Sequence, residues 1–245
     1  MRETQRQRFG VLIPSTNTVV EKEYRVMSVP GVSFHCARIP IGSGDLSSDE
    51  ATLALLDRVQ QEMDVALDRA LAVEPDALVM GLSVETFWGG LEGLARLETS
   101  IKKRTGLNIA TGAQACKRAL EVFGARHIGV ITPYQEVGNR QLVAFFEELG
   151  IKVVTLASAY CATATDIARV SEQELVALLK KVDGPKVEAI VQSGTNLEMV
   201  AVADAAERFL AKPVIAVNAA TWWQALRDAG IEDRLSGATR LFREF

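Results

Sequence analysis

The chain has 245 residues, 48% of them hydrophobic, with a formal net charge of −4, three cysteines and two histidines. That is enough apolar material for one large or two small packed domains, and it excludes global disorder. Slight acidity with no basic stripe argues against nucleic acid as a partner, and no apolar run reaches the length of a membrane span. The first ten residues, MRETQRQRFG, lack the apolar stretch of a secretory signal. An odd cysteine count without C-x-x-C spacing suits reduced thiols in a cytoplasmic protein better than a disulfide frame or a zinc site.

Residues 9–14, FGVLIP, read as a buried strand running into Ser15, Thr16, Asn17 and Thr18, a polar cluster that can cap a helix over 19–27. A Pro-Gly turn leads to a second strand over 32–39. A polar loop follows over 42–49, in which Ser47 or Ser48 caps the longest helix, 50–72, where apolar residues recur at helical spacing. Residues 77–81 are apolar without a break, as in a strand buried on both faces of a parallel sheet. They end in Gly81-Leu82-Ser83, followed by Glu85, Phe87, Trp88 and a glycine pair. A helix over 91–104, a strand over 107–111 and a helix over 114–123 complete the first half.

The order then repeats. HIGVITP at 127–133 matches FGVLIP, 151–157 matches the second strand, 187–192 matches the central one, and KPVIAV at 212–217 matches LNIAT. A helix around 175–182 precedes the second central strand, which ends in Ser193-Gly194-Thr195-Asn196. The expected fold class is therefore α/β: a duplicated α/β unit making two domains with parallel sheets. In open α/β sheets ligands bind beyond the carboxyl ends of the strands, so the site is expected in the interdomain cleft.

The motifs GVLIPSTNT, VMGLSVETFWGG, GVITPYQEVGNRQLVAFFEELGIKVV, VQSGTNLE and GATRLF, in that order, resemble the aspartate/glutamate racemase superfamily. Its arylmalonate decarboxylase and maleate isomerase branch is the nearest in motif order. The resemblance implies two pseudo-symmetric flavodoxin-like domains with parallel sheets, a cofactor-free site between them and proton transfer beside the carboxylate of a small carboxylic acid. It also implies a homo-oligomer, and a chain crossover that makes residues 1–113 plus 220–245 one domain and 114–219 the other. Racemases of the family carry one cysteine after each central strand; arylmalonate decarboxylases keep only the second. Here those positions fall on Gly81 and Gly194, so the two-thiol proton shuttle does not carry over.

Chemistry must then come from other groups. Cys36, Cys116 and Cys161 read as small apolar fillers. Glu85 is the candidate acid–base group, with Phe87 and Trp88 placed to dry it and raise its pKa; otherwise it caps the helix that follows or faces solvent. Carboxylate and oxyanion binding is assigned to Ser15, Thr16 and Asn17 after the first strand, to Gly81, Leu82 and Ser83, and to Gly194, Thr195 and Asn196. Tyr134 and Asn139 are added because they match family positions lining the pocket; for the hydroxyl and amide residues, helix capping is the competing reading. His127 is expected on the surface, and Trp222-Trp223 in interdomain packing. The expected reaction is isomerisation, decarboxylation or elimination through an enolate-like intermediate. The alternative is a carboxylate-binding homologue that is non-catalytic, or hydrolytic through Glu85.

Overall fold

A computed structural model describes residues 5–245. The first half runs β1 (Gln7–Pro14), α1 (Val20–Val26), β2 (Val32–Ile39), α2 (Asp49–Leu71), β3 (Ala77–Met80), α3 (Val84–Phe87), α4 (Gly90–Thr105), β4 (Ile109–Ala110) and α5 (Gly112–Phe123). The second runs β5 (His127–Thr132), α6 (Glu136–Glu148), β6 (Lys152–Ser158), α7 (Ala164–Ile167), α8 (Glu172–Val182), β7 (Ala189–Gln192), α9 (Val200–Leu210) and β8 (Val214–Ala216). α10 (Val217–Asp228) and α11 (Arg240–Glu244) close the chain.

The strands form two parallel four-stranded sheets, ordered β2-β1-β3-β4 and β6-β5-β7-β8. The order is the same in both, as the sequence repeat requires, and it follows the opening of the flavodoxin-like order. β1 and β3 are neighbours in register, Phe9 beside Ala77 and Leu12 beside Met80; β5 and β7 repeat this, Ile128 beside Ala189. In each sheet the connections diverge between those two strands, so the loops after β1, β3, β5 and β7 open onto one crevice.

Several helix ends have a local cause. Ser48 Oγ accepts the Ala51 N–H and starts α2, which fixes the choice between Ser47 and Ser48. Gly106 and Gly124 take left-handed backbone to end α4 and α5. The expected strand at 107–111 shortens to two residues, and α3 is a single turn where the sequence reads as loop.

α10 leaves β8 of the second sheet and packs against α1, β3, β4 and α5 of the first half. Its Trp222 stacks on Tyr24 with ring centroids 4.7 Å apart and donates its indole N–H to the Met27 carbonyl at 2.9 Å. Phe9 and Phe34 meet the same ring edge-on. Trp222 thus ties α10 to the first half. The halves also meet at an antiparallel bridge between Asp45 and Thr163. There Leu46 N–H donates to Ala162 O and Ala164 N–H to Gly44 O, roofing the crevice. Among the described residues, no helix is long and apolar enough to cross a membrane.

Candidate active site

The crevice narrows to a cavity of about 70 Å3 walled by both halves. Its polar wall holds Thr16, Asn17, Ser83, Glu85, Tyr134, Thr195 and Asn196, and its apolar wall includes Ile41, Leu46, Val59, Ala164 and Ile167. Leu82 and Gly194 complete the edges. Nine of the residues expected at the site therefore converge on one space. Ser15, Gly81 and Asn139 do not line it. Ser15 is exposed, with its Oγ accepting the Ile41 N–H. Asn139, on α6, bonds Thr132 Oγ1 at 2.6 Å and the Tyr134 carbonyl at 3.3 Å, which fixes the loop carrying Tyr134. The Gly81 carbonyl accepts Thr195 Oγ1 at 2.9 Å.

The polar residues divide by what their hydrogen bonds leave free. Asn17 Oδ1 accepts the N–H groups of Val19 and Val20, capping α1, while its Nδ2 donates to Thr195 Oγ1. Asn196 is used at both ends, by the Thr18 N–H and the Ala164 carbonyl. These side chains clamp the halves together. Thr16 Oγ1 differs: it is buried, faces the cavity wall and has no partner among the described residues. Ser83 Oγ lies 2.7 Å from Ser193 Oγ and accepts the Gly194 N–H at 3.1 Å. Tyr134 Oη lies 3.3 Å from the same Ser193 Oγ. A chain of three hydroxyls thus crosses from one half to the other. Ser193 was not among the expected site residues; its partner sits 110 positions away, and no local pattern marks such a pair.

Glu85 stands on α3, not in an open loop as the sequence reading has it. It is half-buried and walls the cavity beside Tyr134. Burial pushes its carboxyl up to about 7, against the opposing pull of the backbone N–H groups of Glu85 and Ser83. The drying surroundings are not quite those expected. Phe87 turns away to pack edge-on against Phe145, centroids 5.1 Å apart. Trp88 and Val59 instead flank Glu85 in an outer groove of about 540 Å3 between α2 and α4. The Tyr134 hydroxyl is raised by burial too, so it stays a neutral donor at ordinary pH. Among the described residues no three His, Cys, Asp or Glu side chains converge as metal ligands. His127 is exposed at the start of β5, 3.5 Å from Glu188.

Residues 9–242 match the family model described as arylmalonate decarboxylase. The chain belongs to the arylmalonate decarboxylase family. It is 25% identical to a maleate isomerase of Nocardia farcinica over 97% of this chain and 96% of that one. To the arylmalonate decarboxylase of Bordetella bronchiseptica it is 29% identical over 62% of this chain and 64% of the other. The solved maleate cis-trans isomerase of Nocardia farcinica bound to TRIS superposes with a TM-score of 0.88 at 21% identity, covering 97% of this chain and 98% of that chain. A liganded mutant of arylmalonate decarboxylase gives a TM-score of 0.83 at 23% identity, over 98% and 100%. Membership makes this protein an enzyme of the isomerase or decarboxylase type.

In this family member Gly81 directly follows β3, Gly194 follows β7 after Ser193, and neither position has room for a larger residue. A Cβ at Gly81 would stand 2.5 Å from Ile13 Cγ2 and 2.9 Å from the Leu12 carbonyl oxygen. At Gly194, where φ is +107°, a Cβ would stand 2.7 Å from the Pro133 ring. The three cysteines lie elsewhere, none on the cavity wall. Burial raises Cys36 and Cys116 to about 12 and Cys161 to about 11, so all three remain thiols at neutral pH. Replacing all three by Ala is therefore expected to leave most activity in place. A thousand-fold loss from any one of them, with the fold intact, would place the nucleophile there.

A second carboxyl behaves like Glu85. Glu23, 4% exposed on α1, is pushed up to about 7 by burial, although the Val200 and Met199 N–H groups and Asn218 pull the other way. Below about 4.5 both carboxyls are protonated whether the chain is folded or not. Between about 4.5 and about 7 the unfolded chain releases these protons while the folded one holds them. Stability should fall as pH rises through that window and level off above it. At about 1.4 kcal/mol per pH unit and group, each is worth roughly 3 kcal/mol. Melting temperatures from pH 5 to pH 8 test this: Glu85→Gln or Glu23→Gln should each flatten the decline. Equal slopes in wild type and both variants would contradict it.

Proposed function

We propose that this enzyme moves a proton next to the carboxylate of a small mono- or dicarboxylic acid, with Glu85 as the acid–base group. The family resemblance implies that it does so without a cofactor. The observation that carries the reading is the placing of Glu85, with its carboxyl near neutrality, on the same small cavity wall as the Tyr134 hydroxyl. A general acid or base works best with a pKa near the operating pH. Thr16 Oγ1, Ser83 Oγ and Tyr134 Oη supply donors for a developing enediolate, with Leu82 and Gly194 lining its edge.

The proton balance is simple. In a decarboxylation, the carbon–carbon bond to the leaving carboxylate breaks, its electron pair passes into the enediolate, and protonated Glu85 delivers its proton to carbon. In an isomerisation at a saturated carbon beside the carboxylate, ionised Glu85 removes that carbon's proton, the electron pair passes into the enediolate, and Glu85, after exchanging its proton with solvent, reprotonates the carbon. Apolar residues Ile41, Leu46 and Ile167 favour loss of charge from the group they cover. Turnover screening against substituted malonates, maleate, amino-dicarboxylic acids and lactam acids tests the proposal. Activity confined to the lactams would give Glu85 a hydrolytic role instead, and no turnover with tight carboxylate binding would leave a binding protein. We also propose the division into residues 1–113 plus 220–245 and 114–219, and a homo-oligomeric assembly.

A further inference from the structure

A buried carboxyl with no place on the cavity wall stands behind the loop that forms it. Glu23 Oε1 accepts the N–H groups of Met199 and Val200, both at 2.8 Å, where α9 begins. Its Oε2 accepts Asn218 Nδ2 at 2.6 Å, and the same Nδ2 donates to the Thr195 carbonyl at 2.9 Å. Thr195 in turn gives its Oγ1 hydrogen to the Gly81 carbonyl and receives Asn17 Nδ2. One continuous run of hydrogen bonds thus links α1, α10, the loop after β7 and the end of β3.

Capping α9 does not by itself explain a carboxylate here, since a neutral side chain satisfies N–H groups without the cost of burying charge. What the carboxylate adds is the orientation of Asn218. An oxygen that can only accept forces the amide to present both Nδ2 hydrogens, one to Glu23 and one to Thr195. The cost is visible at the other end, where Asn218 Oδ1 is buried with no partner among the described residues. If Oε2 carried a proton, or were an amide, the Asn218 oxygen would be the better neighbour. The amide would turn, and the Thr195 carbonyl would lose its donor.

We infer that Glu23 is a positioning residue for the reacting site, holding loop 193–196 against Ser83 and Gly81 through Asn218 and the Thr195 carbonyl. The inference rests on the reading of this cavity as the place of reaction. The coupling is also pH-dependent, because Glu23 titrates near neutrality. The charged and titratable groups about it are Glu198, which raises its pKa and is itself paired with Lys22, and the buried Tyr24 hydroxyl. No cation faces it among these.

Amide hydrogen exchange over 193–197 tests the inference without any substrate. Ser193 N–H bonds the Ile131 carbonyl and Gly194 N–H bonds Ser83 Oγ, so both amides report whether the loop is held. In Glu23→Gln at pH 8 their protection should fall about tenfold or more, the scale of one buried carbonyl left without its donor. Asn218→Ala should do the same. Glu207→Gln is the control: that carboxyl is equally buried but accepts from Val214 and Arg240, away from the loop, and should leave loop protection unchanged. In the wild type the loop alone should lose protection between pH 8.5 and pH 6, and Glu23→Gln should not change over that range. The wild-type part of this comparison needs no variant to fold. Wild-type protection in both variants, or a loss spread evenly through β1 and β5, would overturn the inference. Malonate titrated into the same samples gives the second readout, with affinity about tenfold weaker in Glu23→Gln at pH 8 and equal to wild type at pH 6. Were malonate to bind none of the proteins, the reading of the cavity would fail, while the exchange data would still decide the role of Glu23.

Discussion

Glu85→Gln is expected to lower kcat by about 10²–10⁴, the usual contribution of a general acid or base. The amide keeps the shape of the side chain and can still accept from the backbone, but it cannot pass a proton. Because α3 hangs from the end of β3, a strand buried from Leu78 to Met80, the group is placed by rigid structure, as proton transfer requires. The change should therefore appear in kcat, with KM little altered. Stability separates this from damage to the fold. Above pH 7 the variant should be no less stable than wild type, since it removes a charge that burial disfavours. A kcat within about threefold of wild type would return Glu85 to a structural role.

Tyr134→Phe should cost about 10²-fold or more in kcat, as loss of one donor to a developing oxyanion does. The phenol ring, carried on the loop after β5, is buried beside Gly138 of α6, and Phe retains that packing. Only the hydroxyl is lost, together with its 3.3 Å contact to Ser193 Oγ. That contact is long for a hydroxyl pair, and an oxyanion close by would be the stronger acceptor. Since the charge develops only as the reaction proceeds, binding of the substrate should suffer far less than turnover. An equal loss in affinity and rate would mean that Tyr134 merely binds the ground state. Steady-state kinetics alongside calorimetric binding of an unreactive carboxylate distinguish the two.

The parts of this architecture legible in the chain are those set by short-range pattern. Strands buried on both faces read as unbroken apolar runs, and their polar ends at Ser15 to Asn17, at Ser83 and at Thr195 mark where the crevice opens. The repeat of those blocks carries the two sheets with it. What the pattern misses depends on partners distant in sequence. Ser193 gains its place only because Ser83 lies opposite. The roof over the cavity comes from residues 44–46 meeting residues 162–164, two loops with nothing in common locally. α3 is too short to show a helical period, and its turn is fixed by Thr86 Oγ1 reaching back to the Ser83 carbonyl. Glu23 is the plainest case. A glutamate within Val-Glu-Lys-Glu-Tyr reads as a solvated helix face, yet it is buried because α9 and α10 close over it. Asn17 was legible as a site residue but not in its manner of working, since both its oxygen and its amide bind protein.

Turnover in D2O tests the central claim most directly, because it follows the proton itself. With a substrate found by screening, wild-type enzyme should place solvent deuterium on the carbon beside the retained carboxylate, detected by mass spectrometry or NMR of the product. Glu85→Gln should still bind that substrate yet lose the incorporation together with turnover. Wild-type rates of deuterium incorporation in Glu85→Gln, or wild-type turnover that leaves that carbon free of deuterium, would contradict the assignment of Glu85 as the proton-transfer group.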